Sequence, residues 1–121
     1  MKVRLIKGET KVTFGEGEGL FDYWYRPLRV DERERVISNV VYKPFGKTAT
    51  VDFAKTDVTE LLKMAVTRID RLDIEGGGSI NAIEDLLSAS IMPGEVEDGI
   101  LKAMWIEIWI AMFIPDRLKK K

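Results

Sequence analysis

The stretch AMWIEIWIAMFI, residues 103–114, constrains this chain most. It holds two tryptophans, two methionines, a phenylalanine and a run of isoleucines, with Glu107 as its one charge. A bilayer span needs roughly 20 consecutive apolar residues. Extending the run upstream meets Lys102, Asp98 and Glu97, and downstream Pro115, Asp116 and Arg117, so it is too short for a membrane anchor. Ile106, Ile108 and Ile110 alternate with Trp105, Glu107 and Trp109, a strand-like pattern. The whole element, 95–114, is nevertheless too long for a typical strand. Its first half carries Val96, Ile100, Ala103 and Met104 at helical spacing, with Asp98 and Lys102 placed to pair at i, i+4.

From Met104 onward the polar face disappears, leaving Glu107 alone. A helix apolar all round should be buried all round. Two readings stay open: a central core helix, or a helix with one face on its own domain and another against a second chain. On the second reading Trp105 and Trp109 share a face at i, i+4. With Met104, Met112 and Phe113 they are the expected partner or oligomer contact, because large aromatics dominate interface energetics. The adjoining stripe of Ile106 and Ile110, which also reaches Phe113, is then expected to be core.

A length of 121 residues suits one domain, residues 1–121. An apolar fraction of 45% with 32% charged residues is globular rather than disordered. There is no cysteine and no histidine, which removes disulfides, thiolate metal sites and the commonest general base. The formal net charge of −1 gives no general attraction for polyanions. The opening MKVRLIKGETKV lacks the apolar core of a signal peptide. A cytoplasmic protein is expected.

The organisation reads as α+β, with a mainly α arrangement as the alternative. A β-rich part (1–53) precedes a helical part (54–116) and a frayed basic tail (117–121). KVRLI (2–6) and KVTF (11–14) alternate and predict a hairpin through KGET. LFDYWYRPL (20–28) is aromatic and strand-like, ending at Pro27, so strands are expected over about 2–28. YKPFGK (42–47) reads as loop and TATVDF (48–53) as a further strand. Helices are expected at 31–39, 57–70, 81–90 and 95–114. Asp31, Asp57 and Asn81 each have a glutamate three residues on, the spacing of a capping box. Val58, Leu61, Leu62, Ala65, Val66 and Ile69 give the second helix its apolar face. DIEGGGSI (73–80) is a loop, Met92-Pro93-Gly94 a break, and Pro115 a stop.

No motif here carries chemistry. GEGEG (15–19) lacks the following helix of a phosphate loop, and Glu16 and Glu18 repel phosphate. GGGS (76–79) precedes a helix but lacks the Lys-Ser/Thr pair. The carboxylates have no EF-hand spacing, and capping explains most of them. The serines have no histidine partner. No catalytic, cofactor-binding or metal-binding residue is assigned, and no cofactor is expected. Around YRPLRVDERER, the residues Tyr23, Tyr25, Arg29 and Arg33 form a secondary candidate surface. Aromatics interleaved with arginines bind single strands, but Asp31, Glu32 and Glu34 cancel most of the charge.

One order of elements runs along residues 20–114. An aromatic strand leads into YRPLRVDERERV, and VTELLKMAVTRIDRL leads into DIEGGGSI. AIEDLLSAS, a Pro-Gly break and a terminal helix follow. This resembles the small tail assembly chaperones of long-tailed bacteriophages and prophages, which carry a segment ending in RPL before a charged helix and a Gly-containing turn before an acidic Leu-Leu helix. The first 20 residues and the triple glycine depart from that pattern. The resemblance implies a non-enzymatic protein of the bacterial host cytoplasm that binds the tape measure protein and the tail tube protein. A homo-oligomer is expected from the apolar C-terminal run, and no membrane partner. The alternative is a small nucleic-acid-associated regulator using residues 23–35.

Overall fold

The computed structural model describes residues 1–5, 7–15, 17–91 and 97–114. The expected break at 92–94, the stop at Pro115 and the basic tail lie outside the described residues, as does the Asp98 side chain expected to pair with Lys102. The chain is α+β, with strands gathered toward the N-terminus. It packs as two compact units, each discontinuous in sequence. One comprises residues 1–27 and 65–90, the other 28–64 and 91–121.

The first unit is built on a three-stranded antiparallel sheet of order β1-β2-β5, from β1 (Thr10–Phe14), β2 (Phe21–Tyr25) and β5 (Val66–Asp70). The expected hairpin partner of β1 differs. Residues 2–5 form no strand, and β1 pairs with β2 instead. The aromatic β2 offers β1 a far larger apolar face, with Phe21, Tyr23 and Tyr25 all buried. Gly15 and Gly17–Gly19 lie between them. Gly15 has φ +102°, and a Cβ there would sit 2.5 Å from the Gly19 carbonyl oxygen, so only glycine fits.

β5 corrects a sequence expectation, because the helix predicted over 57–70 ends at residue 65 and the chain continues as strand. Val66, Thr67 and Ile69 are β-branched and favour extended backbone. Their register on β2 shifts between Trp24 and Tyr25, leaving Thr67 as the extra residue of a bulge. The bulge matters to packing. Val66 and Ile69 are an odd number apart and would face opposite ways in a regular strand. The extra residue brings both inward, where they are buried with Tyr23 and Tyr25. α3 (Ile83–Leu87) packs on β5 through buried Ile83 and Leu86. It is shorter than the expected 81–90, and Ala82, not Asn81, occupies the N-cap. The main-chain carbonyl of Asn81 accepts the Ile69 N–H at 2.9 Å, which holds this residue beside β5 and outside the helix. The triple glycine is the turn of a two-stranded ribbon, β6 (Leu72–Asp73) with β7 (Ser79–Ile80). Gly76, Gly77 and Gly78 all take positive φ, which no other run of residues adopts cheaply.

The second unit holds α1 (Val30–Ser38), the hairpin of β3 (Tyr42–Phe45) and β4 (Thr48–Val51), most of α2 (Val58–Ala65), and α4 (Glu97–Phe113). Residues 42–45, expected as loop, are a strand paired residue for residue with 48–51 across a Gly46-Lys47 turn. Asp57 caps α2 as expected, its carboxylate accepting the Thr59 N–H at 3.0 Å and the Thr59 hydroxyl at 2.6 Å. Those bonds hold its carboxyl below the usual range. Asp31 does not cap α1. The helix begins one turn position earlier, at Val30, and Arg29 is its N-cap. Arginine has no side-chain acceptor. The Glu32 carboxylate alone closes this end, accepting the Arg29 N–H at 3.0 Å. Asp31 instead pairs with the Arg29 guanidinium at 3.0 and 3.2 Å.

Candidate interaction surface

α4 is apolar on every side, and the structure shows which side is used. Ile100, Met104, Ile108 and Met112, at successive i+4 positions, are all buried. Beside them runs a second stripe, Trp105, Trp109 and Phe113. Its rings stack at centroid distances of 4.9 and 4.4 Å with interplanar angles of 11° and 12°. Phe53 meets Trp105 edge-on at 5.5 Å, extending the ladder to four rings. A cation lies at each end: the Lys102 ammonium 5.3 Å from the Phe53 ring and the Arg33 guanidinium 5.2 Å from the Phe113 ring.

The expected division of the two stripes is therefore reversed within the chain. Met104, Trp105 and Met112 are buried, and Trp109 and Phe113 are half-buried in the ladder. The exposed stripe is Lys102, Ile106 and Ile110, with Glu107 beside it; Ile106 is 37% and Ile110 43% exposed. The reason is area. An indole ring removes more apolar surface from water than an isoleucine, and stacking adds to that gain. The packing is not fully satisfied: the Trp105 indole N–H is buried with no acceptor among the described residues. Other large apolar side chains of this unit are also exposed, among them Val30 and Ile37 on α1 and Tyr42 and Phe45 on β3.

The secondary candidate residues fall in different units. Tyr23 and Tyr25 belong to the first, where both are buried, so neither offers a ring face for a base. Arg29 and Arg33 belong to the second, held by Asp31 and by the Phe113 ring. The more accessible aromatic of β2 is Trp24, on the other face of the sheet. Arg68 on β5 stacks over it at 4.0 Å, and Lys11 on β1 lies 5.4 Å away. Both cations are its direct cross-strand neighbours. Asp70 is 3.8 Å from Arg68, and Glu9 bonds the Thr67 hydroxyl, so this face carries acids among its cations.

Asp22 is a buried acid that the sequence did not single out. It stands directly opposite Asp70, an unfavourable like-charge pair. Arg71 answers it with two bonds, at 2.8 and 2.9 Å, and the Thr13 hydroxyl adds a third at 2.7 Å. The Arg71 and Thr13 bonds hold the Asp22 carboxyl at about 2, below its ordinary 3.8. Arg71 takes φ +63°, the one left-handed non-glycine residue among those described. That conformation costs about 1–2 kcal/mol; here the Arg71 side chain bonds Asp22 and its N–H donates to the Asp70 carboxylate at 3.0 Å.

Among the described residues, no cluster of acidic side chains is placed to hold a metal, and no helix is long and apolar enough to cross a membrane. No protein-family model, curated protein or solved structure matches this chain.

Proposed function

We propose that this chain is a non-enzymatic protein-binding module that uses the exposed Ile106–Ile110 stripe of α4 as its client contact. The observation that supports the reading is the pairing of two exposed isoleucines at i, i+4 on a helix whose opposite face, Ile100, Met104, Ile108 and Met112, is buried. An apolar stripe of that width suits a helical client with its own apolar face. In its most concrete form the client is the tape measure protein of a long-tailed phage or prophage, with the tail tube protein as a second partner. This version rests on the order of elements over 20–114, and places the protein in the bacterial host cytoplasm. Binding of purified tape measure protein from the same genome tests it. Ile106→Asp and Ile110→Asp are expected to weaken binding by about tenfold or more each, equivalent to about 1.4 kcal/mol. Unchanged binding by both variants would overturn the assignment of the stripe.

A further inference from the structure

We infer that β4 is an open pairing edge that joins two copies of this chain into a dimer through an antiparallel β4–β4 ladder. The inference uses the β3–β4 hairpin alone, and none of the α4 stripe. Its starting point is the hydrogen-bond parity of the hairpin. Asp52 donates its N–H to the Val41 carbonyl at 2.7 Å, so Val41 and Asp52 are a hydrogen-bonded pair. Such pairs alternate along an antiparallel ladder. With Tyr42 opposite Val51, Lys43 and Thr50 therefore bond to each other, while Pro44 and Ala49, and Tyr42 and Val51, turn their backbone groups outward. The two edges then differ. On β3 one outward residue is Pro44, which has no N–H, and this edge cannot extend the ladder. On β4 the outward residues are Ala49 and Val51, and neither backbone N–H has a partner among the described residues.

Natural sheets blunt their free edges. Here one edge is blunted and the other is left open with the β-favouring sequence Thr-Ala-Thr-Val. A two-stranded hairpin is marginal in water, and residues 42–49 are all exposed, so the hairpin gains from added strands. The occupant that fits is a second β4. Outward residues must face outward residues, which allows Ala49 opposite Val51 of the copy and Val51 opposite its Ala49. Thr50 then meets Thr50 of the copy on the two-fold axis, a favourable cross-strand pair. A register centred on Ala49 would instead draw Lys47 out of the turn. Charge agrees with the antiparallel sense. β4 is preceded by Lys47 and followed by Asp52, so each strand's positive end lies beside the negative end of its copy, whereas parallel strands would place like beside like. Because Pro44 closes the outer edges, the assembly stops at two copies rather than growing into a fibre.

The two-fold position gives a clean test, because the chain has no cysteine of its own. Facing residues at a non-hydrogen-bonded position have Cα atoms about 4.5 Å apart, within the disulfide range of about 4.4–6.8 Å. Under mild oxidation Thr50→Cys is expected to convert to a covalent dimer. Lys43→Cys, on the outer strand and about 14 Å from its copy at the ordinary strand spacing, is expected to form no covalent cross-link. Sedimentation of the unmodified chain should show a dimer, and Ala49→Pro, which removes an outward N–H but no bond of the hairpin, should give monomer with unchanged circular dichroism. A monomer at submillimolar concentration overturns the inference. So does a dimer that survives Ala49→Pro, or equal cross-linking at positions 43 and 50. Loss of client binding by Ile106→Asp would leave all three readouts unmoved, so the two proposals fail separately.

Discussion

Ile108 and Ile110 are the same residue type, two positions apart on one helix, yet Ile108 is fully buried and Ile110 is 43% exposed. Truncating each to alanine therefore isolates burial. At Ile108 the loss includes transfer of the removed carbons and the cavity they leave, about 2–5 kcal/mol in a well-packed site. At Ile110 nearly half the side chain already touches water. From the value of about 1.5–3 kcal/mol for full burial, the transfer loss is about 1 kcal/mol, and the better helix propensity of alanine returns a few tenths. For a chain of this size 1 kcal/mol moves Tm by about 3–6 °C. Thermal unfolding followed by circular dichroism should show Ile108→Ala melting about 10 °C or more below the parent, and Ile110→Ala within about 4 °C. Both positions lie in one unit, so they report on the same transition. Equal shifts, or a larger one at Ile110, would refute the face assignment of α4 and with it the client surface.

Asp57→Ala should cost about 1 kcal/mol by removing the α2 cap, whereas Asp31→Ala, which removes only an exposed ion pair, should leave the melting point close to the parent's; chemical denaturation of the two variants checks this. The depressed Asp22 carboxyl binds its proton less readily folded than unfolded, so its contribution is full above the ordinary 3.8 and fades as pH falls toward about 2. Asp22→Asn should thus be less stable than the parent at pH 7, with the gap narrowing from about 3.8 downward and closing only below about pH 2, which denaturant melts across that range would show. Arg71→Gly relieves a left-handed backbone but abandons Asp22, and a net loss of stability at neutral pH is expected; a gain would mean the backbone strain outweighs the ion pair. A double-mutant cycle on Trp109 and Phe113 should return a coupling of about 0.5–1.5 kcal/mol for their stacked rings.

Much of the architecture was readable because some residues permit few alternatives. The aromatic run of β2, the triple glycine and the Asp57 cap each admit one local structure, and each is where the sequence placed it. Capping boxes read from spacing alone were less dependable. Asp31 and Asn81 have the right spacing, but Asp31 is drawn to Arg29, and Asn81 is held beside β5 by its main-chain carbonyl, which accepts the Ile69 N–H. The β3 strand was hidden by Pro44, which reads as a strand breaker until its outward edge position is known. The two-residue Gly46-Lys47 turn between β-branched and aromatic residues was the signal that could have revealed it.

Two errors share one physical cause: a spacing pattern fixes a periodicity but not a phase or a partner. Val66 and Ile69, three apart, continue the apolar face of α2 as a helix would, and a bulged strand produces the same spacing on one face. Local pattern cannot separate the two; the choice falls to β2, which supplies the cross-strand bonds and lies some 40 positions away in sequence, at the scale set by the registered pairs. On α4 the ambiguity is of phase. With apolar residues on every side the helix has no preferred face of its own, so whether the tryptophans or the isoleucines turn outward is decided from outside it. Phe53 and Arg33 decide it, by extending and capping a ring stack that only the Trp105–Trp109–Phe113 stripe can form. Removing that outside influence is then informative. Phe53→Ala should loosen the indole of Trp105 and raise the solvent exposure of its fluorescence, while Ile106→Ala should leave the emission unchanged. If both variants shifted the emission equally, the phase of α4 would be set by something other than the ring ladder.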